Sequence, residues 1–400
     1  MMRKIISLLA SVGVAIALSE MPSMARVLQV TNVDKTQKDC CQVDSLGLDE
    51  QIWGEKGQTG DWREMLASID SSLRYVNSPS ALKAYRKYSS SGITRDRVRR
   101  SLVHFRQLVV KAKTPADLQQ AVKRDFVFYR STGRDGKGEV LFTAYYEPMY
   151  EASPVKTQKY RYPLYRLPSN FRKWSKPHPT RAQLEGRDGL LGAKSKLKGL
   201  ELVWLSNRLE AFLAQIQGSA RFALTDGTQM SIGYAAKTDY PYTSIGKELA
   251  KDGKLPLPGL TLPVMINYFT QKPWELNSYL PRNRSFVFFR KTYGAPATGS
   301  LGIPVTAERS IATDKSLMPP GALALIHTSL PFKHDSRALF KDDSTQMEYR
   351  SVSRYVLDQD AGSAIKGAGR VDYFMGTGKL AGDRAGVTGS RGQLYYLLLK

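Results

Sequence analysis

"LDQDAGSAIKGAGRVDYFMGTGKLAGDRAG", residues Leu357 to Gly386, sets Asp358, Asp360, Asp372 and Asp383 among glycines near the end of a strongly basic chain. Glycine permits sharp turns and close backbone approach, and exposed aspartates beside such turns are ordinarily solvated. One reading is therefore a set of acidic turns between the strands of a β-barrel, with Asp358 and Asp383 as solvated loop residues. The other is catalytic: Asp360 and Asp372 lie twelve residues apart across a glycine-rich connection, which can return two strand ends to one site. Glycosidase carboxylate pairs stand ~5–5.5 Å or ~6.5–9.5 Å apart, according to stereochemical outcome. Residue types alone leave both readings open.

The rest of the chain narrows the choice. Its 400 residues allow two domains or one large domain with an insertion, and 42% hydrophobic content supplies a core. A net charge of +23 predicts attraction to a polyanion: nucleic acid, an anionic membrane surface or a cell-wall polymer. The N-terminus, "MMRKIISLLASVGVAIALSEMPSMA", has Arg3 and Lys4, an apolar run from Ile5 to Leu18, then Ser23-Met24-Ala25. This is the pattern of a secretory signal over residues 1–25, with an uncleaved anchor as the alternative. Export to the periplasm or cell wall argues against a nucleic-acid partner, and no later stretch is apolar enough to span a membrane. The adjacent Cys40 and Cys41 make no disulfide framework, and His104, His178, His327 and His334 show no metal-ligand spacing. No metal or cofactor is expected.

Along the chain, residues 26–60 read as a polar, mobile leader, and 61–129 as helical. Val98, Leu102, Phe105 and Val109 recur at helical spacing behind a Thr94 N-cap, and Thr114-Pro115 opens a second helix. After Gly136 the pattern becomes β-prone. "SARFALTDGTQMSIGYAA" is a hairpin turning at Asp226-Gly227, and "SIGKELAKDGKLP" is a short helix capped by Ser244. Nine basic residues against Glu185 and Asp188 between Arg166 and Lys198 predict a surface for anionic wall polymer. "GTGKLA", residues 376–381, fits a nucleotide-binding pattern, but too little chain follows for a βαβ unit.

The motifs "FTAYYEP" (Phe142–Pro148), "YRYPLYRLP" (Tyr160–Pro168), "AFLAQIQGSARFALTDG" (Ala211–Gly227), "YPYTSIGK" (Tyr240–Lys247), "SFVFF" (Ser285–Phe289), "DKSLMPPG" (Asp314–Gly321) and "DAGSAIKGAGRVDYFMGTG" (Asp360–Gly378) occur in this order. Together they resemble the membrane-bound lytic murein transglycosylase A family, including its C-terminal domain named for three aspartates. The resemblance implies a mainly β protein with N-terminal helices. A double-psi β-barrel domain would be formed by residues 61–148 and 295–400, with a smaller β domain inserted over 149–294 and the substrate groove between them. It also implies a monomer acting on peptidoglycan glycan strands. The bond cleaved would be the β-1,4 link between N-acetylmuramic acid and N-acetylglucosamine, leaving 1,6-anhydro-muramyl ends. Carried over by motif, Asp372 is the catalytic acid and Asp360 and Asp314 support the site. Thr143, Tyr145, Gln217 and Ser219 stand at the groove. Gly362-Ser363 and Ala144 depart from the family's usual glycines, and no lipidated cysteine follows the signal segment.

Such an enzyme needs one group that is first acid and then base. Asp372 should therefore have a raised pKa, from partial desolvation or from the charge of Asp360 and Asp314. A hydrolase on the same scaffold, with Asp360 as a second carboxylate and water as nucleophile, and a non-catalytic wall-binding protein are the alternatives.

Overall fold

The computed structural model describes residues 27–31, 45–54, 59–86, 92–333 and 347–400. The expected signal segment, Cys40, Cys41 and His334 lie outside the described residues. After strand β1 (Leu28–Thr31) come helices α1 (Trp62–Val76), α2 (Pro79–Tyr85), α3 (Arg95–Lys111) and α4 (Pro115–Asp125). Their starts are local chemistry. The Thr94 hydroxyl accepts from the Arg97 N–H at 3.2 Å, and Thr114 and Asp117 form a reciprocal capping box with Pro115 in the first turn. Val98, Leu102, Phe105 and Val109 form the buried face of α3, as their spacing predicts. The helical region ends earlier than expected, because the aromatic, β-branched run Phe126–Ser131 is strand β2.

Strand β3 (Val140–Glu147) then leads into an excursion. It comprises β4 (Met149–Ala152), β5 (Tyr162–Tyr165), α5 (Arg181–Glu185), β6 (Glu201–Leu205), α6 (Arg208–Gln217), β7 (Ser219–Leu224), β8 (Gln229–Lys237), α7 (Ile245–Lys251), α8 (Leu262–Gln271), α9 (Leu276–Tyr279) and β9 (Val287–Lys291). The chain returns through β10 (Ser310–Ala312), β11 (Leu323–Lys333), β12 (Met347–Asp360), β13 (Arg370–Thr377), α10 (Lys379–Val387) and β14 (Ser390–Leu399). Strands β14, β11, β12, β10, β13 and β3 pair in that order, and β3 pairs back to β14. The mainly β architecture is thus a closed six-strand barrel, which leaves no open edge in the ring. Strands β2 and β1 extend the sheet from β14. Helix α3 covers it, with the Phe105 ring 5.0 Å from Tyr355 and 6.4 Å edge-on from Phe126.

Two expectations need correction. Residues 149–294, read as β, are mixed. Beside the sheet β4-β7-β8-β9 and the ribbon β5-β6, helices α6 to α9 share a core containing Phe212, Leu249, Phe269 and Tyr279. The β-branched and aromatic residues of "LPVMINYFTQ" disguise α8, whose first turn holds Pro263. The hairpin β7–β8 and the Ser244 cap are as expected.

The polar leader is not loose where it is described. Residues 28–31 pair with β2, and Asp49 is buried against the barrel. Arg309 is fully buried and donates to Asp49 at 2.5 Å, to Asp61 at 2.6 and 2.7 Å, and to the Tyr355 carbonyl at 2.9 Å. Asp49 also accepts from the Tyr355 N–H at 2.8 Å and from Arg354 at 3.5 Å. Polarity here signals buried pairing, which sequence composition cannot distinguish from solvation.

Candidate active site around Asp372

Strand register assembles this site. Asp372 on β13 is level with Thr143 on β3 and with Ala312 on β10. Between β10 and β12 the register slips: Ile311 is level with Asp358, but Ala312 is level with Asp360. The irregularity passes over Gln359, so Asp360, Ala312, Asp372 and Thr143 form one row across four strands. Strand spacing of ~4.8 Å puts the backbones of the two aspartates roughly 10 Å apart, with only an alanine methyl between them.

The row is hydrogen-bonded. The Thr143 hydroxyl donates to Asp372 Oδ1 at 2.6 Å and accepts from Arg370 at 3.1 Å. The Tyr145 hydroxyl donates to Asp360 Oδ2 at 2.9 Å. Asp360 Oδ1 accepts from the backbone N–H groups of Ser300 and Ala361 at 2.7 and 2.8 Å. Gly299 makes the first of these possible: a Cβ there would stand 2.5 Å from the Gln359 carbonyl oxygen. Tyr145 in turn packs on Phe374, with ring centroids 5.0 Å apart.

The pKa of Asp372 is raised, as expected, to about 6. Burial is the main cause. The Thr143 hydrogen bond and the Arg370 charge pull it down, and Asp360 adds a smaller push upward. Burial, with the nearby Asp360 charge, also holds the Tyr145 phenol well above its ordinary value, so it stays a donor at neutral pH.

Asp314 lies outside this row. It is buried and accepts from Ser316 N–H and Oγ at 3.1 and 2.7 Å and from the Gly367 N–H at 2.9 Å. Burial pushes its carboxyl up, but these hydrogen bonds and Lys366 hold it below the ordinary range. It pins the 314–318 turn to the loop before β13.

Asp358, read as a solvated loop residue, is fully buried. It accepts from Thr313 and Tyr396, each at 2.7 Å, and from Lys315, which also donates to the Asp360 carbonyl. The signal was the apolar run "RYVLDQD": strand β12 continues through Asp358 to Asp360 rather than ending before them. Asp383 is solvated, but on α10, where it pairs with Lys379.

Asp372 lines two cavities, of about 630 and 500 Å³. Tyr145, Gln215, Gln217, Lys237 and Ser363 also line both, and Thr143 lines the first. Ser219 and Asp360 line the second. The "QGS" motif is a helix stop: α6 ends at Gln217, and Gly218 at φ 81° turns the chain into β7 at Ser219. Gln217 Oε1 accepts from the Tyr146 N–H at 3.2 Å. Sequence reasoning missed Gln215, Lys237 and Arg370. Gln215 precedes Gln217 by two, and Arg370 precedes Asp372 by two on the same strand, so neighbouring the motif was the available clue. The "GTGKLA" stretch enters α10, but β13 runs parallel to β3 and β14 antiparallel to it. The βαβ crossover of a dinucleotide site is therefore not formed.

Residues 141–290 match the family described as the MltA specific insert domain, and residues 309–398 match the 3D domain. A Buchnera aphidicola protein named membrane-bound lytic murein transglycosylase A homolog is 30% identical over 289 residues, 71% of this chain and 73% of that protein. The crystal structure of a membrane-bound lytic murein transglycosylase from Agrobacterium tumefaciens superposes with a TM-score of 0.64 at 24% identity, covering 85% of this chain and 93% of that one. Escherichia coli MltA with bound chitohexaose superposes at 0.63 and 24% identity, covering 84% and 90%. These two structures speak to the fold.

Proposed function

Because this chain belongs to the membrane-bound lytic murein transglycosylase A family, we propose that it is a peptidoglycan lytic transglycosylase in which Asp372 alone is acid and then base. On this reading the six-strand ring is the double-psi barrel, residues 149–294 are the inserted domain, and the two cavities flanking Asp372 are one groove for a glycan strand. The observation that carries it is a carboxyl raised to about 6 by burial at the junction of both cavities.

The Asp372 carboxyl gives its proton to the glycosidic oxygen as the bond from the muramyl C1 breaks through an oxocarbenium-like state. N-acetylglucosamine leaves with a free 4-hydroxyl. The Asp372 carboxylate then takes the proton of the muramyl 6-hydroxyl while its oxygen bonds to C1. The acid is regenerated and no water is consumed. Thr143 holds Asp372 in place, and Gln217, Ser219 and Tyr145 face the sugars. Asp360 already accepts from Tyr145, Ser300 and its neighbour Ala361, which supports a fixed, charged support rather than a base that activates water.

Mass analysis of muropeptides released in water enriched in heavy oxygen tests the chemistry. Unlabelled 1,6-anhydro-muramyl ends are the expected primary product. Labelled reducing muramyl ends would establish a hydrolase instead, and sacculus binding without release would establish a binding protein.

Export to the envelope on segment 1–25 completes the reading. Among the described residues no helix is long and apolar enough to cross a membrane. Of the basic cluster, Arg181 is buried, whereas Arg172, Lys173, Lys176, Lys194, Lys196 and Lys198 are exposed. Co-sedimentation with sacculi is expected to fall steeply between ~0.01 M and ~1 M salt, as the screening length contracts from ~30 to ~3 Å. Equal sedimentation at both would remove the basic face from substrate binding.

A further inference from the structure

A third cavity, about 760 Å³, does not contain Asp372, and no carboxylate lines it. Its walls include His178, Thr180, Lys194, Lys196, Tyr240 and Arg284. The floor is stiffly built. The Tyr240 hydroxyl donates to the His178 carbonyl at 2.6 Å, the His178 ring accepts from the Asp239 N–H at 3.2 Å, and Phe171 packs on that ring at 4.9 Å. Two of the cations are set over aromatic faces. The Arg284 guanidinium stands 4.1 Å from the Tyr240 ring centroid, and the Lys196 ammonium 5.1 Å from that of Trp174. Such contacts orient a cation without neutralising it. Among the described residues, no acid lies within ion-pair distance of Lys194, Lys196 or Arg284. Asp239, which precedes Tyr240 but does not line the cavity, is engaged by His178 through its side chain and its backbone.

The cavity shares a wall with the cleft. Thr180, Tyr240 and Arg284 line it, while their close chain neighbours Arg181, Tyr242 and Asn283 line the cavity beside Asp372. Lys237 spans the two, since it lines the cleft and donates to the Tyr240 carbonyl at 2.9 Å. The positively charged recess therefore lies directly behind one wall of the cleft, a few residues from it along the chain.

We propose that this recess binds the carboxylates of peptidoglycan stem peptides. The inference rests on the proposed murein substrate. The alternating sugars of that polymer, with their N-acetyl and hydroxyl groups, are uncharged. Its acidic groups are carried on the lactyl-peptide arms of the muramyl residues. Three uncompensated cations beside the cleft complement those arms and have nothing to pair with on the sugar backbone.

The test uses the full chain and the variant Lys194→Gln/Lys196→Gln, both positions being exposed on the surface. Calorimetry with a free stem tripeptide containing D-glutamate should show salt-sensitive binding to the unaltered protein, about tenfold weaker in the variant. KM should rise several-fold on peptide-bearing strands with kcat unchanged, and far less on strands stripped of peptide by an amidase, which keep only the short lactyl carboxylate freed by the cut. No tripeptide binding, or an equal KM rise on both strands, overturns the proposal. So does displacement of the tripeptide by inorganic phosphate at equal concentration, which would mark a phosphate site. The calorimetric arm involves no bond cleavage, so its outcome is separate from whether the chain is a transglycosylase.

Discussion

Replacing Asp372 with asparagine is expected to reduce release of muropeptides from sacculi by ~10²–10⁴-fold, the loss typical of one general acid-base group. The amide keeps the size and can still accept from Thr143, but it carries no transferable proton. Binding of intact strands should persist, because the other residues lining the two cavities are unchanged. A second readout separates chemistry from damage. The folded carboxyl titrates at about 6 and an unfolded aspartate near the ordinary value of 3.8. The native state therefore holds the proton more tightly. The stability this contributes is fully present below the unfolded value and is lost as pH rises through about 6. Asparagine cannot ionise, so the variant should melt higher than the parent at pH 8 and about equally at pH 3. An inactive, less stable variant at pH 8 would mean that Asp372 is structural, and near-normal turnover would move catalysis to another residue.

The residues gathered around Asp372 were more legible in the sequence than their surroundings. Asp372 and Thr143 sit in short motifs, "VDYF" and "FTAYY", whose strands pair directly, so recognising the motifs was enough to bring the residues together. Asp360 required more. Its alignment with Asp372 depends on a register slip at Ile311-Ala312 that no local propensity encodes. Asp358 and Asp314 look alike in sequence to the others, yet one is buried under Lys315 and the other fastens a loop. Only the tertiary partners separate these functions. Element types were readable where caps fixed them, as at Thr94, Thr114 and Ser244. They failed where β-prone residues build a helix, as in α8, whose core partners lie in α6 and α9. Barrel closure was beyond local reading, since the pairing of β3 with β14 joins residues 140–142 to 390–392.

The residues whose replacement is expected to cost most stability lie outside the Asp372 row, at the buried Arg309 cluster. Asp49→Ala is expected to destabilise the fold by about 3–5 kcal/mol, the range for removing one partner from a buried ion pair. Asp49 and Asp61 balance Arg309 and Arg354, so four charges with no net sum are enclosed between the segment before α1 and the barrel. Removing Asp49 strips Arg309 of its contacts at 2.5 and 3.3 Å, and leaves the Tyr355 N–H without its 2.8 Å acceptor. Arg309 cannot escape by losing its proton. Burial disfavours its charge, but Asp49 and Asp61 together hold its pKa well above the ordinary value. Asp61 is different. Its side chain is 16% exposed, so water can replace part of what is lost. Asp61→Asn should therefore cost less, about 1–2 kcal/mol. Chemical denaturation of both variants, with the midpoint read at constant slope, measures the difference. If Asp49→Ala costs under ~1 kcal/mol, the cluster is not what fastens residues 45–54 to the barrel. If the two variants cost the same, burial is not what sets the size of the effect. Replacing Asp49, Asp61, Arg309 and Arg354 together with apolar residues of similar volume should recover much of the loss, because most of the single-variant cost is the stranded guanidinium rather than the absence of attraction.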